Sequence, residues 1–373
     1  MGTTPAATTP ARRLLSLDVC RGFIMASMIL VNNGGPGAAS YAPLEHVPWH
    51  GWSFTDVIFP SFLWMVGVAM TLSFARRVER GDNRAKLLLH TLRRAGLIFL
   101  IGLALNGFPF YDLSTIRIPG VLQRIAICYL VVAAIFLFTR IRGQVVALVT
   151  VCVVYWMLMT LAPVPGCAAG TLEKGCNFAR YVDSMFLNGH MWSATKVWDP
   201  EGLVSTLPAI ATTLFGVLTG HLLRAAISAE ARAAWMFLFG NTLLFAGAFL
   251  GQWMPINKNL WTVPFAIFMA GMSQLIFAAC YWLLDVVGWR RGAQPFAIYG
   301  VNAIMVYVLS GVIGDVMALI KPGGKSLNVI FYNHAFAWWL KPEDASVAFG
   351  LSYVLVLYAI AWYMHRREWF VRL

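Results

Sequence analysis

Charge is scarce in this sequence. Asp, Glu, Lys and Arg make up 12% of its 373 residues, acidic side chains number only 16, and hydrophobic residues reach 59%. At a mean hydropathy of +0.69 the chain has too little polar surface to cover a water-soluble globule without large apolar patches. Soluble classes are excluded and an integral membrane protein is expected. Motifs are missing too. Neither a P-loop nor a dinucleotide fingerprint occurs, and glycine-rich pieces such as NNGGPG are too weak to carry a phosphate-binding claim. No Cys/His spacing reads as a zinc site, so no metal is expected, and no internal repeat is evident.

What is present is a series of long apolar runs. Windows of about 20 apolar residues, enough to cross roughly 30 Å of hydrocarbon as helix, fall near 14–33, 54–75, 87–105, 119–139, 144–162, 203–223, 233–252, 260–283, 295–318 and 347–365. The expected fold is all-α, a polytopic transmembrane helix bundle of about ten helices. Residues 14–373 form one domain behind a Pro/Thr/Ala-rich tail, 1–13, expected to be disordered. Asp18 and Arg21 interrupt the first apolar run and no small-residue cleavage site follows, so this start does not read as a cleaved leader.

A net charge of +12 ordinarily invites a nucleic-acid reading, but here the basic residues lie between the apolar runs. That placement makes the lipid bilayer the partner and excludes nucleic acid. Of the 28 Lys and Arg, 18 fall on the side of the termini and 8 on the opposite side, with Arg21 and Arg124 inside helices. By the positive-inside rule both termini are expected in the cytoplasm. Three connections on the outer side are long, 34–53, 163–202 and 319–346, and long loops tend to carry function. Cys167 and Cys176 share the second of them, where an oxidising environment and short spacing permit a disulfide. The other cysteines, Cys20, Cys128, Cys152 and Cys280, read as helix packing residues.

Ionisable groups within membrane segments are costly unless paired or hydrated, which makes each a functional candidate. Asp18 and Arg21 are three apart on one helical face, placed for an intrahelical ion pair or for an anionic ligand entering from the cytoplasm. Arg124 lies one turn inside its helix and reads either as snorkelling to water or as lining a polar cavity. Asp56 follows Ser53 by three, in the manner of a capping box, a role compatible with orienting a catalytic base. Asn32 and Asn33 precede a double glycine, the pattern of a helix end with a left-handed cap. His46 and His50 share a short loop with Glu45, Trp49 and Trp52 directly ahead of the helix that carries Asp56. Either histidine alone would read as a solvated loop residue.

The wording of several segments goes further. RRLLSLDVCRG, VNNGG and EHVPWHGWSFTDVIFPSFLWMVG are followed in order by IRIPGVLQRIAICY, WDPEGLVSTLPAIATTLFGVLTG, PINKNLWT and YGVNAIMVYVLSG. Together these resemble the heparan-α-glucosaminide N-acetyltransferase family, including its bacterial inner-membrane relatives. The resemblance implies a transmembrane acyltransferase of a bacterial inner membrane that takes acetyl from cytosolic acetyl-CoA and delivers it to the amino group of a glucosamine unit on the far side, with a homodimer suggested by relatives. His46 occupies the place of the family's active histidine and Asn32 that of its partner asparagine, while His50 falls where relatives often carry asparagine.

The chemistry suits those residue types. Amide formation from a thioester needs a base to take the amine's proton and donors for the tetrahedral oxyanion. Imidazole titrates near neutrality and the asparagine amide is a donor; acetylation of His46 itself is the alternative route. Candidates to hold the nucleotide end of acetyl-CoA are Arg21, Lys86, Arg93, Arg94 and Arg124. Glu45, His50, Asn257, Lys258 and Trp261 are candidates for the acceptor sugar, and Asp56 joins His46 and Asn32 in the catalytic set. The rival class is an amino-sugar transporter that does no chemistry.

Overall fold

The computed structural model describes residues 14–37 and 39–371, so the expected tail at 1–13 lies outside the described residues. Helices follow in the order α1 (Leu15–Asn32), α2 (Phe54–Glu79), α3 (Arg84–Gly107), α4 (Val121–Phe138), α5 (Ile141–Leu161), α6 (Phe178–Phe186), α7 (Thr206–Arg224), α8 (Ala229–Leu250), α9 (Val263–Tyr281), α10 (Ala293–Val301), α11 (Ala303–Leu319), α12 (Leu327–Tyr332) and α13 (Pro342–Arg366). Among the described residues nine helices are long and apolar enough to cross a membrane, and the bent pair α10–α11 makes ten if it is one span. The all-α, polytopic reading holds.

One expected helix is broken. The window 295–318 reads as a single span, yet α10 and α11 meet at 82°. Asn302 sits at the break and secures it: its Nδ2 donates to Trp369 O at 3.1 Å and its Oδ1 accepts from Val371 N at 3.1 Å. The side-chain amide thus binds the C-terminal tail across the bend.

Backbone contact at glycine decides how the central helices cross. A methyl group on Gly216 of α7 would stand 1.9 Å from Trp64 O of α2, and one on Gly67 of α2 would stand 2.0 Å from Thr213 O of α7. The α1–α10 crossing is built likewise, with an added Cβ on Gly22 1.7 Å from Phe296 O and one on Gly300 2.0 Å from Asp18 O. In lipid, where apolar side chains gain nothing by leaving one apolar medium for another, close backbone approach of this kind holds helices together. Buried side chains add hydrogen bonds across the bundle: Ser61 to Ser273 at 2.9 Å, and Thr219 to Gln274 Oε1 at 3.0 Å. Helices α2 and α7 are the most enclosed, with 78% and 72% of their apolar windows buried, against 28% for α3 and α5 and 22% for α8, which face lipid.

The double glycine after α1 serves another purpose than the expected left-handed cap. Asn33 ends the helix at φ −121°, and its Nδ2 donates back to Ile29 O at 2.8 Å. Gly35 is glycine because a Cβ there would lie 2.3 Å from the Tyr332 ring. Cys167 and Cys176 form the expected disulfide. The short loop it closes packs on the 34–53 loop, where Trp49 Nε1 donates to Leu172 O at 2.9 Å.

Overpacking the α2–α7 contact is expected to cost about 1–3 kcal/mol. Gly216→Val should therefore melt several degrees lower than wild type in detergent, while Gly96→Val, where an added Cβ meets nothing within 4 Å, should melt unchanged. Equal melting of the two would contradict this account of the crossing.

Candidate active site

Asp56 begins the site. It lies one turn into α2, its side chain 2% exposed, and the 34–53 loop folds over it to satisfy both oxygens. Oδ2 accepts from Ser53 N at 3.0 Å and Val47 N at 3.3 Å, and Oδ1 lies 2.7 Å from His46 Nδ1. Oδ2 thus caps the helix while Oδ1 holds the His46 ring. A hydrogen on His46 Nδ1 directed at the carboxylate leaves Nε2 as the ring's acceptor.

A second loop closes on the first. Gly51 N donates to Ile256 O at 2.7 Å, joining the 34–53 loop to the segment between α8 and α9. That segment is a rigid turn. Asn257 Oδ1 accepts from Leu260 N at 2.9 Å, Thr262 Oγ1 accepts from Asn257 N at 3.1 Å, and Trp261 takes the left-handed φ of +51°, uncommon for a bulky residue. The turn presents Lys258, whose Nζ stands 2.8 Å from His46 Nδ1, 3.1 Å from Nε2 and 3.4 Å from Asp56 Oδ1. Burial pushes the Lys258 ammonium below the usual lysine range, and the Asp56 charge opposes that shift.

His46 and Lys258 line a cavity of about 530 Å³, whose wall also includes Asn32, Glu201, Trp192 and Trp198. Glu201 is fixed by Arg117, which donates to it at 2.5 Å and to both oxygens of Asp199 at 2.6 and 2.8 Å. Burial alone would lower the Arg117 pKa, but its bonds to Asp199 and the Glu201 charge raise it on balance. The loop that carries Glu201 is tied down by Asp183 of α6, whose Oδ1 accepts from Leu203 N at 2.9 Å.

At the opposite end of the bundle a second cavity, also about 530 Å³, is lined by Arg21, His90, Arg94 and Tyr129 and by the first turn of α11. Arg21 also borders a neighbouring cavity of about 780 Å³ together with Arg76, Arg224 and Arg232. Arg21 holds its ion pair with Asp18 at 3.6 Å while facing both cavities. On α2 the two ends of the molecule nearly meet. Ile58 lines the His46 cavity and Phe62 the Arg21 cavity, about 6 Å of helical rise apart.

The structure thus brings His46, Asp56, Lys258 and Asn32 to one cavity end, and Arg21 and Arg94 to the other. It places the remaining candidates elsewhere. Lys86 and Arg93 are exposed on α3. Arg124 is 1% exposed, bonded to Ser205 Oγ at 2.5 Å and stacked over Trp261, away from the Arg21 cavity. Trp261 is fully buried and donates to Thr212 at 3.1 Å. Asn257 is spent on its turn and on His50, 3.2 Å away. Glu45 is exposed and gives its backbone oxygen to Ser53 at 2.6 Å. In the cavity wall stand residues that sequence reading passed over: Glu201, Trp192, Trp198 and Asn259. The segment WDPEG carried a signal for Glu201, since two acids so close together in a chain short of acids need a partner.

A family profile described as "Heparan-alpha-glucosaminide N-acetyltransferase, catalytic" matches residues 13–254. The chain belongs to this family. It is 29% identical over 353 residues to the heparan-alpha-glucosaminide N-acetyltransferase of Mus musculus, covering 80% of this chain and 53% of that protein. The Homo sapiens protein of the same name is 30% identical over 354 residues, covering 79% and 52%. The chain spans about half the length of these curated relatives, and the profile match takes in Asn32, His46, Asp56 and Glu201 but ends before Lys258.

Asp183 supplies a test of the loop that holds Glu201. Burial raises its pKa to about 6, so the stability it lends is complete below the ordinary carboxylate value and is lost as pH rises through about 6. Asp183→Asn keeps an acceptor for Leu203 N and removes the buried charge. The variant should melt higher than wild type at pH 8, and the gap should close progressively below pH 6 and level off below about pH 4; parallel melting curves across that range would contradict the assignment.

Proposed function

We propose that this chain is a transmembrane N-acetyltransferase that moves acetyl from acetyl-CoA in the cytoplasm to the amine of a glucosamine-type sugar on the far side of a bacterial inner membrane. The observation that carries the reading is the pair of back-to-back cavities. One is basic and the other holds an Asp-oriented histidine, and they approach within one turn of α2. Acetyl-CoA is a long molecule with phosphates at one end and a thioester at the other, so its two ends need such unlike surroundings. Arg21, Arg94 and the α11 N-terminus suit the phosphates, and the side with more Lys and Arg is the cytoplasmic one.

In the proposed reaction the neutral amine attacks the thioester carbonyl, His46 Nε2 takes the amine's proton, and the C–S bond of the tetrahedral intermediate breaks. The proton passes from His46 to the departing thiolate, giving an amide and CoA. Asp56 keeps the proton on Nδ1 so that Nε2 is the base. Lys258 and Asn32, both at the cavity wall, donate to the oxyanion. Trp192 and Trp198 offer apolar faces to the sugar ring and Glu201 a carboxylate to its polar edge.

The test is transfer of labelled acetyl from acetyl-CoA to glucosamine by purified protein. His46→Ala is expected to lose about 10²–10⁴-fold in rate, and Asp56→Asn, which favours the wrong tautomer, up to about 10⁴-fold. Label held on His46 before any acceptor is added would place an acetyl-imidazole on the path. Wild-type protein that binds the sugar but leaves it unacetylated would favour the transporter and overturn the proposal.

A further inference from the structure

A third cavity, about 360 Å³, opens at the same end of the molecule as the His46 site, between the end of α1 and helices α11 to α13. Its wall sets polar side chains, Asn32, Ser310, Asp315 and Asn328, beside the apolar faces of Leu105 and Phe349. Asp315 is the unusual member. It stands in an otherwise apolar helix, where a carboxylate is costly, and it has no hydrogen-bond or ion-pair partner among the described residues. The polar wall around it is fixed in advance. Tyr353 donates to Asn328 Oδ1 at 2.8 Å, and Asn328 Nδ2 donates to Gly314 O at 3.2 Å. Asn32 lines both this cavity and the His46 cavity, so a ligand bridging the two would pass beside its amide.

The lining discriminates between occupants. A lipid tail would leave the Asp315 carboxylate covered and without a partner. A divalent cation wants several carboxylates, and among the described residues no group of three His, Cys, Asp or Glu gathers to hold one. A ring carrying hydroxyls and one ammonium matches the wall, with the ammonium on Asp315, the hydroxyls on the Asn32 amide and Ser310, and the ring's apolar face on Leu105 or Phe349. We propose that this cavity is a subsite for a second amino-sugar unit, so that the acceptor is an oligomer of at least two linked hexosamines with its free amines retained. The inference rests on the N-acetyltransferase reading and extends it to the size and charge of the acceptor.

The test compares kcat/KM for glucosamine and for a β-1,4-linked glucosamine dimer, using full-length protein in nanodiscs at saturating acetyl-CoA. Wild type should prefer the dimer by about tenfold or more, the factor that 1.4 kcal/mol of additional binding supplies. Asp315→Asn should remove that preference while leaving glucosamine turnover within twofold. Gly311→Leu offers a second variant that keeps the carboxylate and fills the cavity, since an added Cβ meets no atom closer than 3.8 Å; it too should abolish the preference. Acetylation of both sugars by wild type without dimer preference would overturn the subsite alone, as would an equal loss on both sugars in both variants. Acetylation of neither sugar would overturn the N-acetyltransferase reading and the subsite with it.

Discussion

Asp56 is a carboxylate sealed into the head of an apolar helix, and the need to satisfy it organises this end of the protein. A buried charge without partners would cost several kcal/mol. The chain meets that demand with backbone groups from Val47 and Ser53, the imidazole of His46 and the ammonium of Lys258. Those four come from a loop before α2 and a turn some two hundred residues later. Gathering them fixes the loop, sets the tautomer of the histidine and brings a half-buried lysine against its ring. The same contacts that stabilise the helix start thus set a carboxylate, an imidazole and an ammonium against one another.

The glycine crossings give that arrangement its setting. Helices α2 and α7 touch backbone to backbone, as do α1 and α10, leaving no room for a ligand along those contacts. Space remains at the two ends. One is basic and the other carries titratable and aromatic groups, and α2 runs between them with the two cavities on neighbouring turns. A bundle with larger residues at these crossings would stand farther apart and lose the short path between its ends.

Much of this was legible in the sequence, for identifiable reasons. Helix number followed from the spacing of apolar runs, because the bilayer fixes the length each must have. Ser53 and Asp56 were readable as a cap because capping is local. The 82° bend at Asn302 was not, since it depends on an amide reaching a tail nearly seventy residues away. The same holds within the site. Arg124 and Trp261 read as ligands from their types, yet they stack on each other in the interior, and a buried arginine over an indole leaves no local trace. Glu201, Trp192 and Trp198 escaped notice because a cavity wall drawn from one long loop has no fixed spacing. Asp315 was passed over although its apolar context was the same signal that singled out Asp18 and Arg124.

The central claim is that acetyl passes through the protein from one face of the membrane to the other, and sidedness tests it most directly. Protein reconstituted in one orientation into sealed vesicles would be given labelled acetyl-CoA on one side and a glucosamine acceptor on the other. The account expects N-acetylated sugar when acetyl-CoA meets the Arg21 end and the acceptor meets the His46 end, and none when both substrates are confined to the Arg21 side. Equal product with both substrates on the Arg21 side would contradict it.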